Sequence, residues 1–252
     1  MFISFFGRFI MYHYPKTAGT QLQYLLQDFG VGSDDDIWGG NLNGMNRAVY
    51  IPLYNKMGKK VGEGHVPKPP KHAPIGNTYE KSIINASKGF GVDKWYRFGC
   101  VRNPWDLCVS HLNFQNVHED WSFTKKDIMD FENRQGYVGT FTEFFDLDNN
   151  KMDYIIKTED FDDDLDEVIL QLKIHAPQYI EKNWEKIKLR YFKKLTKNED
   201  NLYKNKTNHK HYSYYYDDES REYIGKLFEK DIKRFNYKFN NIREKENGKI
   251  LL

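Results

Sequence analysis

Two short stretches of this chain gather residue types that can hold anions. Tyr12-His13-Tyr14-Pro15-Lys16-Thr17-Ala18-Gly19-Thr20-Gln21 sets a lysine, two hydroxyl side chains and a glycine within a few residues. The apolar run Phe9-Ile10-Met11 before it predicts a buried strand, and Leu22, Leu25 and Leu26 after it predict one stripe of a helix. Strand, tight turn and helix aim backbone N–H groups and the positive end of a helix at an anion. Gly19 is expected to let the backbone approach a ligand. Lys16 adds a cation, and Thr17 and Thr20 add hydroxyl donors. No Gly-Lys-Ser/Thr closes the turn, so it is not a Walker A loop. Taken alone, the stretch reads equally well as an ordinary strand–helix turn with a solvated lysine.

The second stretch is Arg102-Asn103-Pro104, after the apolar Trp95–Val101. Arg102 can hold a phosphate bidentately, and Ser110, two turns into the helix opened by Pro104, can add a hydroxyl. A third group, Glu63-Gly64-His65, stands at the end of the short strand predicted over Val61–Val66. Ligands of a parallel sheet bind beyond the carboxyl ends of its strands, where all three groups are expected. Two separate anion-holding elements imply a ligand with two separated anionic groups. Structural duties compete with each reading. Arg102 could form an ion pair, Ser110 could bond its own helix, and His65 could bond a carbonyl.

These groups need a scaffold, and 252 residues suffice for one α/β domain, 1–252, with a sizeable core. The formal charge of +2 points to neither nucleic acid nor a membrane surface. No apolar run approaches the roughly 20 residues of a membrane span. Met1–Arg8 lacks a basic leader and a small-residue cleavage site, and is taken as a lead-in to the first strand. Cys100 and Cys108 do not suggest a disulfide framework, which fits a reducing, cytoplasmic setting. His209 and His211 lie in a polar lysine-rich loop, and no metal site is expected. With 16% aromatic residues, the core should be rich in rings.

In order, the pattern predicts a helix from Thr20 to about Phe29 and a strand or helix over Arg47–Leu53. A strand over Val61–Val66 then runs into Pro67-Lys68-Pro69-Pro70, which must leave the sheet. Further helices are expected over Thr78–Ser87, from Pro104, and over Phe141–Phe145, with strands over Trp95–Val101 and Asp153–Thr158. Asp160–Asp164 charges the start of a helix bearing Leu165, Val168, Ile169 and Leu172, which Pro177 breaks. A basic amphipathic helix carries Ile180, Trp184, Ile187, Tyr191 and Leu195. A last helix opens at Asp217 and stops at a left-handed Asn236, and the charged tail frays from about 242. Strands alternating with helices argue an α/β fold with a parallel sheet.

The motifs together resemble those of the sulfotransferases that use 3′-phosphoadenosine-5′-phosphosulfate (PAPS). His13–Thr20 looks like the family's "HxPKTGGT" phosphosulfate loop. Phe98–Ser110 resembles "FxFVRNPYDRLVSxY", whose Arg and Ser grip the adenosine 3′-phosphate. Ile155–Phe161 is similar to the "RFEDL" strand end, and Asn205-Lys206-Thr207 with Asp231–Phe239 resembles the carboxyl-terminal block. The likeness runs over most of the chain and is nearest the carbohydrate and membrane-type branch. Three positions depart from the pattern: Ala18 stands for a Gly, Leu107 for an Arg and Asn236 for a Gly. The Leu107 change is expected to alter adenosine-side contacts.

The resemblance implies a three-layer P-loop-type fold and sulfuryl transfer from PAPS to an acceptor hydroxyl, with adenosine 3′,5′-bisphosphate as product and no metal. Lys16 and the backbone of Thr17, Ala18, Gly19, Thr20 and Gln21 would hold the phosphosulfate. Arg102 and Ser110, with Lys206 and Lys210 closing over them, would hold the ribose phosphate. His65 would be the base, as in the branch with a Gly-His pair before the Arg segment, and Glu63 the next candidate. A carbohydrate acceptor comes first; tyrosine, lipid and small metabolites stay open, and 33–60 and 67–77 are expected to line the acceptor cleft. A nucleotide-dependent phosphotransferase on the same scaffold, or a binding module without catalysis, are the rival readings. The first lacks a Walker lysine and offers only Asp160 as a magnesium ligand.

Overall fold

The computed structural model describes residues 2–4, 8–26, 48–54, 60–67, 74–76, 80–81, 94–119, 123–134, 136–149, 151–175 and 209–242. The expected helix over 180–195, Lys206 and most of 33–60 and 67–77 lie outside these residues.

A four-stranded sheet runs β1 (Phe2–Ser4), β2 (Phe9–Tyr12), β5 (Tyr96–Val101), β6 (Tyr154–Lys157) from edge to edge. β2, β5 and β6 are mutually parallel, with Tyr12 opposite Gly99 and Val101 opposite Lys157. β1 pairs antiparallel with β2, so the expected lead-in is itself an edge strand.

Strand alternation divides the core between the two faces of this sheet. Phe9, Met11, Phe98, Cys100 and Ile156 face a cluster completed by Leu22, Leu25 and Leu26 of α1 (Gly19–Leu26) and the Phe161, Leu165, Val168, Ile169 and Leu172 stripe of α5 (Phe161–His175). Ile10, Tyr12 and Val101 face the other cluster. Its helices are α2 (Pro104–Glu119), α3 (Lys125–Met129), α4 (Phe141–Phe144) and α6 (Asp218–Leu227). The parallel strands thus carry helices on both faces, as an α/β architecture requires. The core is ring-rich as expected: Tyr14 packs edge-on against Phe141 and Phe144 at 4.6 and 5.1 Å. Cys100 and Cys108 are buried free thiols.

The structure settles one open expectation and changes others. The undecided stretch near 47–53 is a strand, β3 (Ala48–Tyr54), paired antiparallel with β4 (Lys60–Pro67) in a second, two-stranded sheet. Glu63 and His65 therefore sit opposite Pro52 and Tyr50 in that hairpin, not on a strand of the parallel sheet. Proline cannot donate to a ladder, yet Pro67 closes the register opposite Ala48, a strand-end position that the missing N–H allows.

The single last helix is instead two, α6 and α7 (Glu229–Phe235), separated at Phe228, whose backbone (φ −106°, ψ 25°) leaves the helical region. The break re-aims α7. Its Asp231 carboxylate accepts the N–H groups of Phe141 and Thr142 at 2.8 and 2.9 Å and the Thr142 hydroxyl at 2.5 Å, at the start of α4. Asn236 ends α7 in the left-handed region (φ 54°), as the sequence suggests.

Candidate functional site

The carboxyl ends of β2 and β5 lie side by side, so the turns that follow them adjoin. The first turn is tightly wound. Lys16 and Ala18 both adopt positive φ, 62° and 58°, a region that costs non-glycine residues about 1–2 kcal/mol each. Thr17 between them is fully buried, and its hydroxyl donates to the Tyr14 carbonyl at 3.0 Å. That hydroxyl therefore braces the turn, which revises the expectation of a ligand donor. The first intrahelical bond of α1 runs from Leu22 N–H to Ala18 O. The amides of Gly19, Thr20 and Gln21 lie ahead of it, at the positive end of the helix.

Gly19 has a different duty from the expected one. A Cβ built there would stand 2.0 Å from Cδ2 of His13. The buried His13 ring occupies the space that any other residue would need. The glycine admits this internal imidazole.

The second turn is organised by Asn103, which opens α2. Its Oδ1 accepts the Trp105 N–H at 3.1 Å and its carbonyl accepts the Leu107 N–H at 2.8 Å, with Pro104 in the first turn. Arg102 projects between the turns. Its Nη1 donates to the Lys16 carbonyl at 3.1 Å, and its Nε lies 2.7 Å from Asp106 Oδ2, one helical turn on. The guanidinium is part-buried, so this pair is screened less than a surface pair. Arg102 thus combines the structural ion pair with contact to the lysine turn.

On α2, Ser110 is almost fully buried. The next residue on that face, Phe114, lies under the Lys16 ammonium, with Nζ 4.1 Å from the ring centroid. Leu107 is 1% exposed in the core. Lys210 is exposed, its Nζ 5.8 Å from the Tyr214 ring.

The carboxyl-terminal segment roofs the second turn. Asn103 Nδ2 donates to the Lys238 carbonyl, and Asn103 N–H to Glu159 Oε1 at 2.6 Å. Glu159 also accepts the Tyr237 hydroxyl at 3.2 Å. Phe239 meets Trp105, Tyr212 and Tyr216 edge-on at 5.4–5.6 Å. The Tyr216 hydroxyl donates to the Trp105 carbonyl, and burial pushes its proton affinity far up, so it stays a donor.

Sequence reasoning missed one buried charged group beside this edge. Glu80 is 3% exposed and accepts the Tyr12 hydroxyl and the Gly76 N–H, both at 2.6 Å, with Arg97 Nε at 3.6 Å. Burial first, and then Glu80, raise the Tyr12 phenol far above its ordinary range. These partners lie up to 68 positions apart in the chain, and no local pattern announces them.

The structure brings together Lys16 to Gln21, Arg102 and the α2 face carrying Ser110 and Phe114. It places Glu63 and His65 on the separate β3–β4 hairpin. Among the described residues, no group of three or more His, Cys, Asp or Glu side chains could hold a metal ion, and no helix is long and apolar enough to cross a membrane. Comparison with protein-family models, with curated proteins and with solved structures gave no match to this chain.

Proposed function

We propose that this chain is a sulfotransferase that binds PAPS across the carboxyl edge of its parallel sheet. One observation carries the reading: Arg102 Nη1 lies 3.1 Å from the Lys16 carbonyl. The two elements suited to anions are therefore neighbours, close enough for one doubly anionic nucleotide to bridge. The spacing of the two motifs in the sequence, each after its own strand, supports the same reading.

The donor supplies an activated sulfuryl group, which an acceptor oxygen takes by in-line displacement at sulfur as the bond to the phosphate oxygen breaks. Lys16 and the amides of Gly19, Thr20 and Gln21 stabilise the charge that gathers on that departing oxygen. Arg102 orients the ribose phosphate with the donors not committed to Asp106 and Lys16, and Lys206 adds a cation there. His65, as a neutral imidazole, takes the acceptor's proton. Glu63 is the alternative base. The acceptor is a hydroxyl compound, a carbohydrate first.

The test is calorimetry with adenosine 3′,5′-bisphosphate against ATP with magnesium. Bisphosphate binding that needs no metal and outcompetes ATP supports the reading. Tighter, magnesium-dependent ATP binding replaces it with a phosphotransferase. Bisphosphate binding without turnover on a panel of glycans and phenols leaves a nucleotide-binding module.

A further inference from the structure

We infer that Phe114 is a positioning residue for Lys16: its ring holds the lysine ammonium at the mouth of the anion site before any ligand arrives. The inference deepens the proposed function and rests on it for the ligand, though not for the pairing itself. Lys16 Nζ stands 4.1 Å from the Phe114 centroid, well inside the roughly 6 Å reach of a cation–π contact. Both partners are half-buried, so water screens the attraction only in part. The two ends of the lysine are therefore fixed by one helix. Arg102, just ahead of α2, holds the Lys16 backbone through its carbonyl, and Phe114, three turns along α2, holds the ammonium.

The positive φ of Lys16 gives this arrangement its purpose. The lysine stem is long and flexible, and without a second anchor it would sample many rotamers. A ring face takes the ammonium from one side only. A ring contact takes no N–H bond in the way a carboxylate would, so holding the ammonium this way is compatible with its binding an anionic oxygen. Ordering the cation before binding removes an entropic cost that the ligand would otherwise bear.

Proton NMR of the full chain tests the pairing. Protons held above a ring face are shielded by its ring current, so the Lys16 δ and ε methylene signals, assigned by their loss in Lys16→Ala, should be displaced upfield. Phe114→Leu should abolish the displacement and Phe114→Trp should keep it. Calorimetry with adenosine 3′,5′-bisphosphate tests the consequence. Phe114→Leu should bind about three- to tenfold more weakly, and Phe114→Trp should restore affinity. A circular dichroism melt confirms that each variant is folded. Unshifted Lys16 signals in the wild type overturn the inference. So does a folded Phe114→Leu variant that binds as tightly as wild type while Lys16→Ala does not, and that result leaves the proposed function standing. If the signals are displaced but neither wild type nor Phe114→Trp binds the bisphosphate, the proposed function falls and the pairing is supported.

Discussion

Arg102 donates through Nη1 to the carbonyl oxygen of Lys16, across 86 positions of sequence, while its Nε is held by Asp106 one turn along the next helix. One side chain thereby ties the turn after β2 to the turn after β5. Arg102→Ala should weaken adenosine 3′,5′-bisphosphate binding at least about tenfold, since bonds to charged groups are worth about 1.5–3 kcal/mol. Arg102→Lys should recover little of this, because an ammonium cannot bond Asp106 and Lys16 in a fixed fork. Unchanged affinity in Arg102→Ala by calorimetry would contradict the phosphate role.

Gly19→Ala should destabilise the fold by about 3 kcal/mol, the upper range for forcing atoms into a packed site, because its Cβ meets the His13 ring at 2.0 Å. Adding His13→Ala should restore part of that loss. Urea unfolding of both single variants and the double variant measures the coupling, and additive effects would show that the two residues do not compete for space.

Ala18→Gly should stabilise by about 0.5–1 kcal/mol. Relief of the left-handed strain at φ 58° outweighs the freedom that glycine adds to the unfolded chain. A lower urea midpoint than wild type would show that the strain is not there to relieve.

Burial pushes the Cys108 thiol up to about 12, with the Tyr216 hydroxyl bond partly opposing. Burial raises Cys100 further. A thiol raised on folding contributes stability that is whole below its unfolded value of about 8.5 and is lost as pH climbs toward 12. Stability should therefore fall across that alkaline window, and Cys108→Ala should flatten the fall. Iodoacetamide should label neither thiol at pH 8 until urea unfolds the chain; rapid labelling of the native protein would contradict the burial.

His65→Ala should leave bisphosphate affinity intact and cost about 10²–10⁴-fold in turnover with an accepted glycan or phenol. Turnover that survives moves the base to Glu63, and Glu63→Gln then becomes the deciding variant.

Much of this architecture was legible in short-range pattern. Phe9–Met11, the α5 stripe and the proline that opens α2 announce their elements because periodicity and caps act within a few residues. The duties of particular side chains were not legible, because they depend on partners brought in from afar. Gly19 reads as room for a ligand until the ring of His13 is seen against it. Thr17 reads as a hydroxyl donor until its bond to the Tyr14 carbonyl is seen. β4 reads as a member of the parallel sheet, since a short strand pattern carries no mark of which strand it will pair with. Glu80 carries no local signal, since its donors come from β2, from Gly76 and from β5.

The carboxylate of Asp231 closes the start of α4, about 90 positions upstream, and Phe239 seals the rings around Trp105. Contacts of such long range are costly to form early. During synthesis, the α4 amides and the Asn103 turn must wait for residues 228–240 to leave the ribosome. A chain cut off before that point should leave the aromatic cluster around Phe141 uncovered and prone to aggregate.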